Sequence, residues 1–287
     1  MPMLCIAGTF HVVGTEPDGD SVRFVPDDPA TWARVPGVHR VRTNARGGAQ
    51  LRLDGVDALE THYAPRGGQT VHQPLELAHA AGAELLKWLG FRDVVRQVET
   101  VTAARDDDRP GFVLTRTADT YGRCVALVGR GDPPAASGES IYVTVALLRK
   151  TANHRLLATG LVYPTFYSKL YVDLRAEMAK QAVAARKAGK GVSADDETQA
   201  GVRVAALSTL TDHAVILPKL FRRLVDYLDI NDDESSLAGF KAYLAQRDDR
   251  LYVISAAQKT GLDTVVAVDG QTVRLTHPPE DLIFDEL

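Results

Sequence analysis

A series of short strand-like segments, interrupted once by a helix, is the feature that most constrains the fold of this chain. Apolar alternation and turn signals predict strands at about 4–13, 20–25, 49–56, 94–104, 111–117 and 123–129, and a helix at 75–90 that ends at Gly90. An Asp-Gly pair joins the first two strands and predicts a hairpin. We interpret this order as a five-stranded barrel of the oligonucleotide-binding (OB) kind, with a helix inserted after the third strand.

Two more helices are predicted before the linker that ends the barrel domain. One covers 141–151, and the clearer one covers 168–188, where Ser168 is a candidate N-cap and Gly189 ends the helix. The second helix would cover the barrel, and 189–201 would be a linker. Beyond it, helices at about 212–229 and 235–246 precede strands at about 250–256, 264–268 and 271–276. The predicted class is therefore α+β, with a barrel domain at 1–195 and an accessory α+β domain of unknown role at 196–287.

Composition places the chain among ordinary cytoplasmic proteins. Its 287 residues are 45% hydrophobic, which is enough for one good core and a smaller second one. No apolar run is long enough to span a membrane, and the first residues lack the basic region of a secretory signal. Cys5 and Cys124 lie in apolar strand-like runs, so we expect buried free thiols rather than a disulfide.

The net charge of −4 argues against a polyanionic ligand only until its distribution is considered. Residues 197–287 hold 15 acidic and 9 basic residues, a net charge of −6, and the other residues therefore carry a net charge of +2. Of the 33 basic residues 24 are Arg, which binds phosphate in a planar, bidentate way. The charge pattern permits a nucleic-acid ligand without requiring one.

The stretch 51–63, L-R-L-D-G-V-D-A-L-E-T-H-Y, concentrates charged groups where a strand opens into a loop. It carries Arg52, Asp54, Asp57 and Glu60, and two other short stretches, D-G-D-S at 18–21 and D-T-Y-G-R at 119–123, provide matching groups. Together they supply two carboxylates for a metal, a spare carboxylate and two arginines, which is what phosphodiester cleavage needs. The alternative is that the first Asp-Gly-Asp is only a turn and that these charges form ion pairs on the barrel rim.

The loops add candidate substrate contacts. The loop at 26–48 interleaves arginines, among them Arg40 and Arg42, with Trp32 and His39, which suits backbone contacts and base stacking. A solvated surface insertion would have the same composition. The histidines at 62, 72 and 79 have no recognised zinc spacing and no Cys partners, so no zinc site is expected.

In these three motifs the chain resembles the staphylococcal nuclease (thermonuclease) family over about residues 4–195. D-G-D-S-V resembles that family's D-G-D-T-V, L-R-L-D-G-V-D-A-L-E-T resembles F-R-L-x-x-V-D-T-P-E-T, and D-T-Y-G-R resembles D-K-Y-G-R, in the same order. The resemblance implies a calcium-dependent nuclease acting on DNA and RNA. It implies that Asp20 and Asp57 bind calcium, that Arg52 and Arg123 hold the phosphate, and that Glu60 is the candidate general base.

The resemblance also implies supporting roles, with some departures from the family pattern. Ala58 replaces a Thr that lends its backbone carbonyl to the metal, and the carbonyl is still available. Tyr121 would lie near the terminal phosphate, and the base-stacking Tyr would be Tyr163 or Tyr167. Thr120 stands in place of a phosphate-binding Lys, so substrate affinity is expected to be weaker. Residues after 195 have no counterpart in the family.

Two hypotheses follow from the residue types. The first is a weakly selective nuclease: carboxylate and carbonyl oxygens select a hard ion such as calcium, magnesium or manganese, and attack by water requires no 2′-hydroxyl, so single-stranded or flexible DNA and RNA are both substrates. The second is a non-catalytic nucleic-acid or protein-binding module on the same fold. The acidic C-terminal region, with an apolar helix at 214–228, is a candidate for a protein-binding or self-association surface or for restraint of activity.

Overall fold

The computed structural model describes residues 2–65, 68–231 and 236–286 and has a mixed α+β architecture. The strands of its first two thirds are β1 (Met3–His11), β2 (Ser21–Pro26), β3 (Ala49–Leu53), β4 (Val56–Ala58), β5 (Arg92–Gln97), β6 (Thr100–Arg105), β7 (Arg109–Ala118), β8 (Cys124–Arg130), β9 (Ser140–Ile141), β10 (Val162–Pro164) and β11 (Phe166–Tyr167). The helices there are α1 (Leu75–Leu89), α2 (Val145–Leu148), α3 (Ala152–Thr159) and α4 (Val172–Lys187), with 3₁₀ turns at Pro29–Arg34 and Gly191–Ala194.

The last third alternates short strands and helices. Its strands are β12 (Val202–Arg203), β13 (Arg250–Val253), β14 (Gln258–Gly261), β15 (Val266–Asp269), β16 (Thr272–Leu275) and β17 (Leu282–Phe284). Its helices are α5 (Leu207–Asp212), α6 (Pro218–Ile230), α7 (Phe240–Gln246) and α8 (Leu262–Val265), with a 3₁₀ turn at Pro279–Asp281. None of the helices in the described ranges has the length and apolar composition needed to cross a membrane.

Five strands close into a barrel, which confirms the predicted five-stranded architecture. β1 pairs with β2 and β7, β3 pairs with β2 and β8, and β7 pairs with β8. The β3–β8 pair is parallel and the other four are antiparallel. Closure leaves no free edge in the ring. The core contains Phe10 and Phe24, whose ring centroids are 4.9 Å apart, and both free thiols, Cys5 and Cys124, are buried as predicted.

The segment predicted as one strand at 94–104 is a separate hairpin. β5 and β6 pair with each other and form a two-stranded sheet of their own. Val98 takes a positive φ of 55° in the turn, and Arg96 Nη1 donates to the Glu99 carbonyl at 2.9 Å. The apolar run was therefore read correctly as β structure, but the backbone reverses in its middle, at a residue that does not favour a left-handed conformation.

The helix predicted at 141–151 is wrong in extent, because two threonines cap two different helices. Thr144 accepts a hydrogen bond from the Leu147 amide and starts α2, whereas Thr151 accepts from the His154 amide and starts α3. Each cap satisfies a backbone donor at the beginning of its helix.

The predicted N-cap at Ser168 is also wrong. α4 begins after Tyr171, and the Ser168 amide donates to the Phe284 carbonyl at 2.9 Å, so that Ser168 continues the pairing of β11 with β17. A partner more than 100 residues away in the sequence therefore decides where this helix starts. In the last third, α6 starts at Pro218, a residue favoured in the first turn. The residue at which the helix of 235–246 was predicted to start lies outside the described residues.

A second hydrophobic core joins the last third of the chain to the barrel part. It contains most of the apolar face of α6 together with residues that precede the predicted boundary: Leu59, Ala78, Tyr163 and Val192. Gln73 is fully buried, and its side-chain Nε2 donates to the Ile216 carbonyl at 2.9 Å. The segment that carries Glu60 is thus packed directly against the start of α6.

Candidate functional site

Strand register brings the two predicted metal-binding acids to one place. β2 and β3 are antiparallel with Ser21 opposite Arg52, and the Asp20 carbonyl accepts a hydrogen bond from the Leu53 amide at 2.8 Å. Gly55 has a φ of 77°, and a Cβ there would lie 2.6 Å from the Met178 side chain. A glycine therefore permits the sharp turn from β3 into β4, which carries Asp57.

The carboxyl groups of Asp20 and Asp57 lie together at the base of this turn. Asp20 is 7% exposed and Asp57 only 1%. The Asp20 Oδ2 accepts from the Ala58 amide at 3.3 Å. Burial, and then the charge of Asp18, raise the pKa of Asp20 well above its ordinary value. Burial acts on Asp57 in the same direction, but Arg222 and then Arg52 outweigh it and lower the pKa of Asp57 to about 2.

Arg222 of α6 completes this cluster, and sequence reasoning missed it. Its Nη2 lies 2.8 Å from Asp57 Oδ2, its Nη1 lies 3.3 Å from Asp57 Oδ1, and Nη1 also pairs with Glu60 Oε1. Arg52 Nη2 adds a third guanidinium contact, at 3.0 Å from Asp57 Oδ1. The cationic partner of Glu60 therefore lies 162 residues further along the chain, where the local sequence around Glu60 cannot indicate it.

Backbone bonds fix the position of Glu60. Its amide donates to the Gln73 Oε1 at 3.2 Å, and its carbonyl accepts from the Gln73 amide at 2.8 Å. Since Gln73 also bonds the Ile216 carbonyl, one buried amide side chain connects Glu60 to the segment before α6. The signal available in the sequence was the Arg222-Arg223 pair on the apolar helix, which had no role assigned to it.

Arg123 is held apart from the acid cluster by its own partner. Its Nε donates to Asp119 Oδ2 at 2.7 Å, and Asp119 Oδ1 accepts from the amides of Tyr121 and Arg123 at 3.0 and 2.8 Å. The Arg123 guanidinium carbon lies 5.7 Å from the ring centroid of Tyr121, which is 74% exposed. This turn therefore presents one guanidinium and one aromatic face to solvent.

A cleft of about 870 Å³ brings several of these groups into one space. From the barrel part it is lined by Arg52, Glu60, Tyr121, Arg123 and Tyr167, and from α6 by Lys219, Arg222 and Arg223. Ligand clefts in proteins commonly have this size. Arg52, Glu60, Tyr121 and Arg123 therefore face a common volume, whereas Asp20 and Asp57 are not among the described residues that line it. Arg123 pairs with Asp119 and not with Asp57, the carboxylate that Arg52 binds.

Three predicted substrate contacts lie elsewhere. Tyr163 is 3% exposed, and its hydroxyl donates to Asp196 Oδ1 at 2.8 Å, so it is a core residue and not a base-stacking one. Tyr167, the other candidate, does line the cleft. Arg40 and Arg42 are exposed but are not among the described residues that line it. The Arg42 side chain packs over Gly122, where a Cβ would lie 2.2 Å from its Cγ.

Two buried side-chain nitrogens in the cleft have no hydrogen-bond partner among the described residues. They are the Nε of Arg23 and the Nε2 of His39. Arg23 lies opposite Gln50 in the β2–β3 register, two positions from the Ser21–Arg52 pair, so it is on the same outer face of the barrel. Unpaired donors of this kind point to a ligand or to ordered water.

The donor chemistry of the acid cluster fits a hard divalent cation. Asp20 and Asp57 provide short carboxylates close enough to share a hydrogen bond, and the Ala58 carbonyl lies beside them in sequence. A second group of possible ligands, His11, Asp107 and Asp108, lies on the barrel surface. There, Asp107 Oδ1 already accepts from the Val12 and Val13 amides at 2.8 and 2.9 Å, so a role in holding the end of β1 explains it.

Comparison of the chain with models of known protein families and with curated proteins gives no match. Only the three sequence motifs and the geometry of the cleft therefore indicate a function.

Proposed function

We propose that this chain is a calcium-dependent nuclease, resembling the staphylococcal nuclease family, that hydrolyses phosphodiester bonds of single-stranded or flexible DNA and RNA. The observation that supports the proposal is the convergence of the buried acids Asp20 and Asp57 with Arg52, from two chain segments, beside a cleft that Arg52 and Arg123 line. Ion pairs on a barrel rim would not require two buried acids in contact with each other.

Each residue of the acid cluster and of the cleft beside it has a role that its chemistry supports. Asp20 and Asp57, with the Ala58 carbonyl, would hold the calcium, which when bound supplies the charge that polarises a phosphoryl oxygen. Arg52 and Arg123 donate to the non-bridging oxygens, where negative charge grows in the transition state. Asp119 keeps the Arg123 fork oriented while leaving other guanidinium donors available for the phosphate.

The reaction is a hydrolysis. The oxygen of a water molecule bonds to phosphorus, the bond from phosphorus to the leaving oxygen breaks, and one proton of the water passes to the Glu60 carboxylate. The leaving oxygen takes a proton from solvent, and Glu60 later returns its proton to solvent. The products are a phosphate monoester and a hydroxyl. Because the attacking group is water and not a ribose hydroxyl, DNA and RNA are equivalent at this step.

Arg23 and His39 extend the proposed substrate path along the barrel. Their unpaired buried nitrogens lie in the same cleft as Arg52, and with a proton on each they would suit the phosphate next to the one that reacts. Contacts of this kind fix a strand in register without reading its sequence, which is consistent with weak selectivity.

One observation favours the second candidate, a non-catalytic binding module. Arg222 neutralises Asp57 and Glu60, and a protein without a metal could keep its fold in this state. Such a module would still bind a nucleic acid through arginines that line the cleft, such as Arg23, but it would not break a phosphodiester bond.

Cleavage of a fluorescently labelled single-stranded DNA by the full chain, in calcium and in chelator, separates the two candidates. We expect cleavage in calcium only and its loss in Asp20→Asn. The matched control is Asp132→Asn, which removes an exposed acid outside the cleft and should cleave like the wild type. Binding in both conditions without cleavage in either would favour the binding module.

A further inference from the structure

In this structure the guanidinium group of Arg222 lies at the proposed metal site. Arg222 reaches it from α6, and its side chain is only 18% exposed. Asp57 Oδ1 accepts from both Arg52 and Arg222, and Oδ2 accepts from Arg222. A carboxylate oxygen has two acceptor positions. Both positions on Oδ1 are therefore occupied by guanidinium groups, and the other oxygen is also engaged.

The Arg222 fork excludes a divalent ion from this carboxylate, because the one acceptor position left, on Oδ2, lies beside the guanidinium. Metal coordination needs a free lone pair on Asp57, and the ion and the guanidinium repel each other at such short range. The backbone of α6 is not free to withdraw, because Phe221 and Leu224 are fully buried in the second core. The side chain of Arg222, in contrast, borders an open cleft and has several rotatable bonds.

We infer that Arg222 is an intramolecular competitor of the metal: calcium binds only when it displaces the Arg222 guanidinium from Asp57. The inference rests on the proposed metal site and adds to it a device that sets the metal affinity. The C-terminal region restrains the enzyme through one side chain that changes its rotamer, not through the movement of a domain.

Calorimetric titration of calcium chloride into the full-length protein tests this competition directly, without an activity assay. Arg222→Gln keeps most of the side-chain volume and removes the charge. Since charge-assisted hydrogen bonds to Asp57 no longer have to be broken, we expect calcium to bind about 10- to 100-fold more tightly than to the wild type. Unchanged or weaker binding by Arg222→Gln would overturn the inference.

Arg223→Gln is the matched control, because its side chain lines the same cleft from the next position of α6. Arg223 pairs with Asp249 and Asp226 and not with the acid cluster, so its loss should leave calcium affinity unchanged. If Arg223→Gln tightened calcium binding as much as Arg222→Gln does, a general loss of positive charge would explain the result and the competition would be refuted.

Arg222→Gln leaves Asp57 and Glu60 less neutralised, so the variant could unfold without metal. Arg222→Lys covers this case, because it keeps the charge but loses the fork. We expect calcium to raise the Tm of either variant by more than it raises that of the wild type. Equal Tm increases would refute the competition.

The titration also separates the inference from the proposed function. Suppose that the wild type binds calcium, that Asp20→Asn does not, and that Arg222→Gln binds it no more tightly than the wild type. This result would support the metal site and refute the competition alone. No calcium binding by the wild type or by Arg222→Gln would remove both.

Discussion

The two acids of the proposed metal site, Asp20 and Asp57, differ in how many positively charged side chains they bind. Asp57 bonds two guanidinium groups, so Asp57→Asn would leave Arg52 and Arg222 partly unpaired in a buried place. Breaking a buried ion pair from one side costs about 3–5 kcal/mol. A loss of activity in that variant would therefore have two explanations, the loss of metal binding and the loss of stability. Among the described residues no Lys or Arg forms a salt bridge with Asp20, which makes Asp20 the cleaner test.

We expect Asp20→Asn to abolish calcium binding while leaving the protein at least as stable as the wild type at pH 7. The Asn side-chain oxygen can still accept from the Ala58 amide. Burial and the neighbouring Asp18, Asp57 and Glu60 disfavour a charge at position 20, and the substitution removes that charge. Calcium affinity should fall by more than about 100-fold, because even indirect support of a ligand is worth about 10- to 100-fold.

Thermal unfolding in chelator and calorimetric titration of calcium check both halves of this expectation. A Tm well below that of the wild type would show that the ionised Asp20 stabilises the metal-free fold. Retained calcium affinity would show that the metal lies elsewhere.

At Arg123 the planar geometry of the guanidinium group matters as well as its positive charge. Arg123→Lys keeps the positive charge but loses the fork that contacts Asp119 and would contact the phosphate. Removing one transition-state donor costs about 100- to 1000-fold in rate, so we expect kcat to fall by well over about tenfold while substrate affinity changes much less. Steady-state kinetics on single-stranded DNA measure both. Full turnover by Arg123→Lys would assign Arg123 to the turn alone.

At the scale of the element, the outer face of β2 is predicted to guide the substrate. Arg23→Gln removes a cation that has no acidic partner among the described residues, so the fold should be unaffected. We expect weaker binding of single-stranded DNA and a salt dependence reduced by about one phosphate contact. Arg203→Gln is the control, because Arg203 is an exposed residue of β12 outside the cleft. Identical salt slopes for Arg23→Gln and the wild type would exclude Arg23 from the path.

α6 is locked to the beginning of β13 through one acid. Asp249 accepts from Lys219 at 3.0 Å and from Arg223 Nη2 at 2.9 Å. Burial alone would raise the pKa of Asp249, but the hydrogen bond from Arg223 and the charge of Lys219 outweigh it and lower the pKa to about 2. A carboxyl with a depressed pKa stabilises the fold above its unfolded-state pKa, and this contribution disappears as pH falls from about 4 to about 2.

We therefore expect Asp249→Asn to lower the free energy of unfolding by about 2–3 kcal/mol at pH 7, and by progressively less below about pH 4. Urea unfolding at pH 7 and pH 3 measures the difference. Asp248→Asn is the control, because Asp248 is exposed and pairs with Arg250 at the surface. A destabilisation that does not depend on pH would mean that Asp249 acts through packing and not through its charge.

The elements also show which local signals can be read from a sequence. Barrel strands were predicted because apolar alternation and Asp-Gly turns are local properties. The β5–β6 reversal at Val98 was not, since no turn residue marks it. Likewise, Ser168 has the chemistry of a helix cap, but its amide is used in pairing with β17, and tertiary pairing prevails over local preference.

At the scale of the molecule, the half of the site made by short-range geometry was predictable and the half made by long-range packing was not. Asp20, Arg52 and Asp57 are brought together by a hairpin and one turn, and their motif spacing reflects this. Arg222 lies 165 residues after Asp57, and no periodicity connects the two positions. Tyr163 was misplaced for the same reason: β10 pairs with β4 and turns that ring into the second core.

The predicted boundary at 195/196 leads to the last prediction, which concerns the fragment 1–196. The second core crosses this point, so the fragment would expose Leu59, Tyr163 and Val192 together with the pairing edge of β11. Burying each such side chain is worth about 1.5–3 kcal/mol, and a whole domain is stable by only about 5–15 kcal/mol. We expect the fragment to be insoluble or molten, and therefore not a more active enzyme.

Far-ultraviolet and near-ultraviolet circular dichroism of the fragment, with full-length protein as reference, checks this. A folded, soluble 1–196 that cleaves faster than the full chain would instead establish the boundary and make the whole C-terminal region, and not Arg222 alone, the source of restraint.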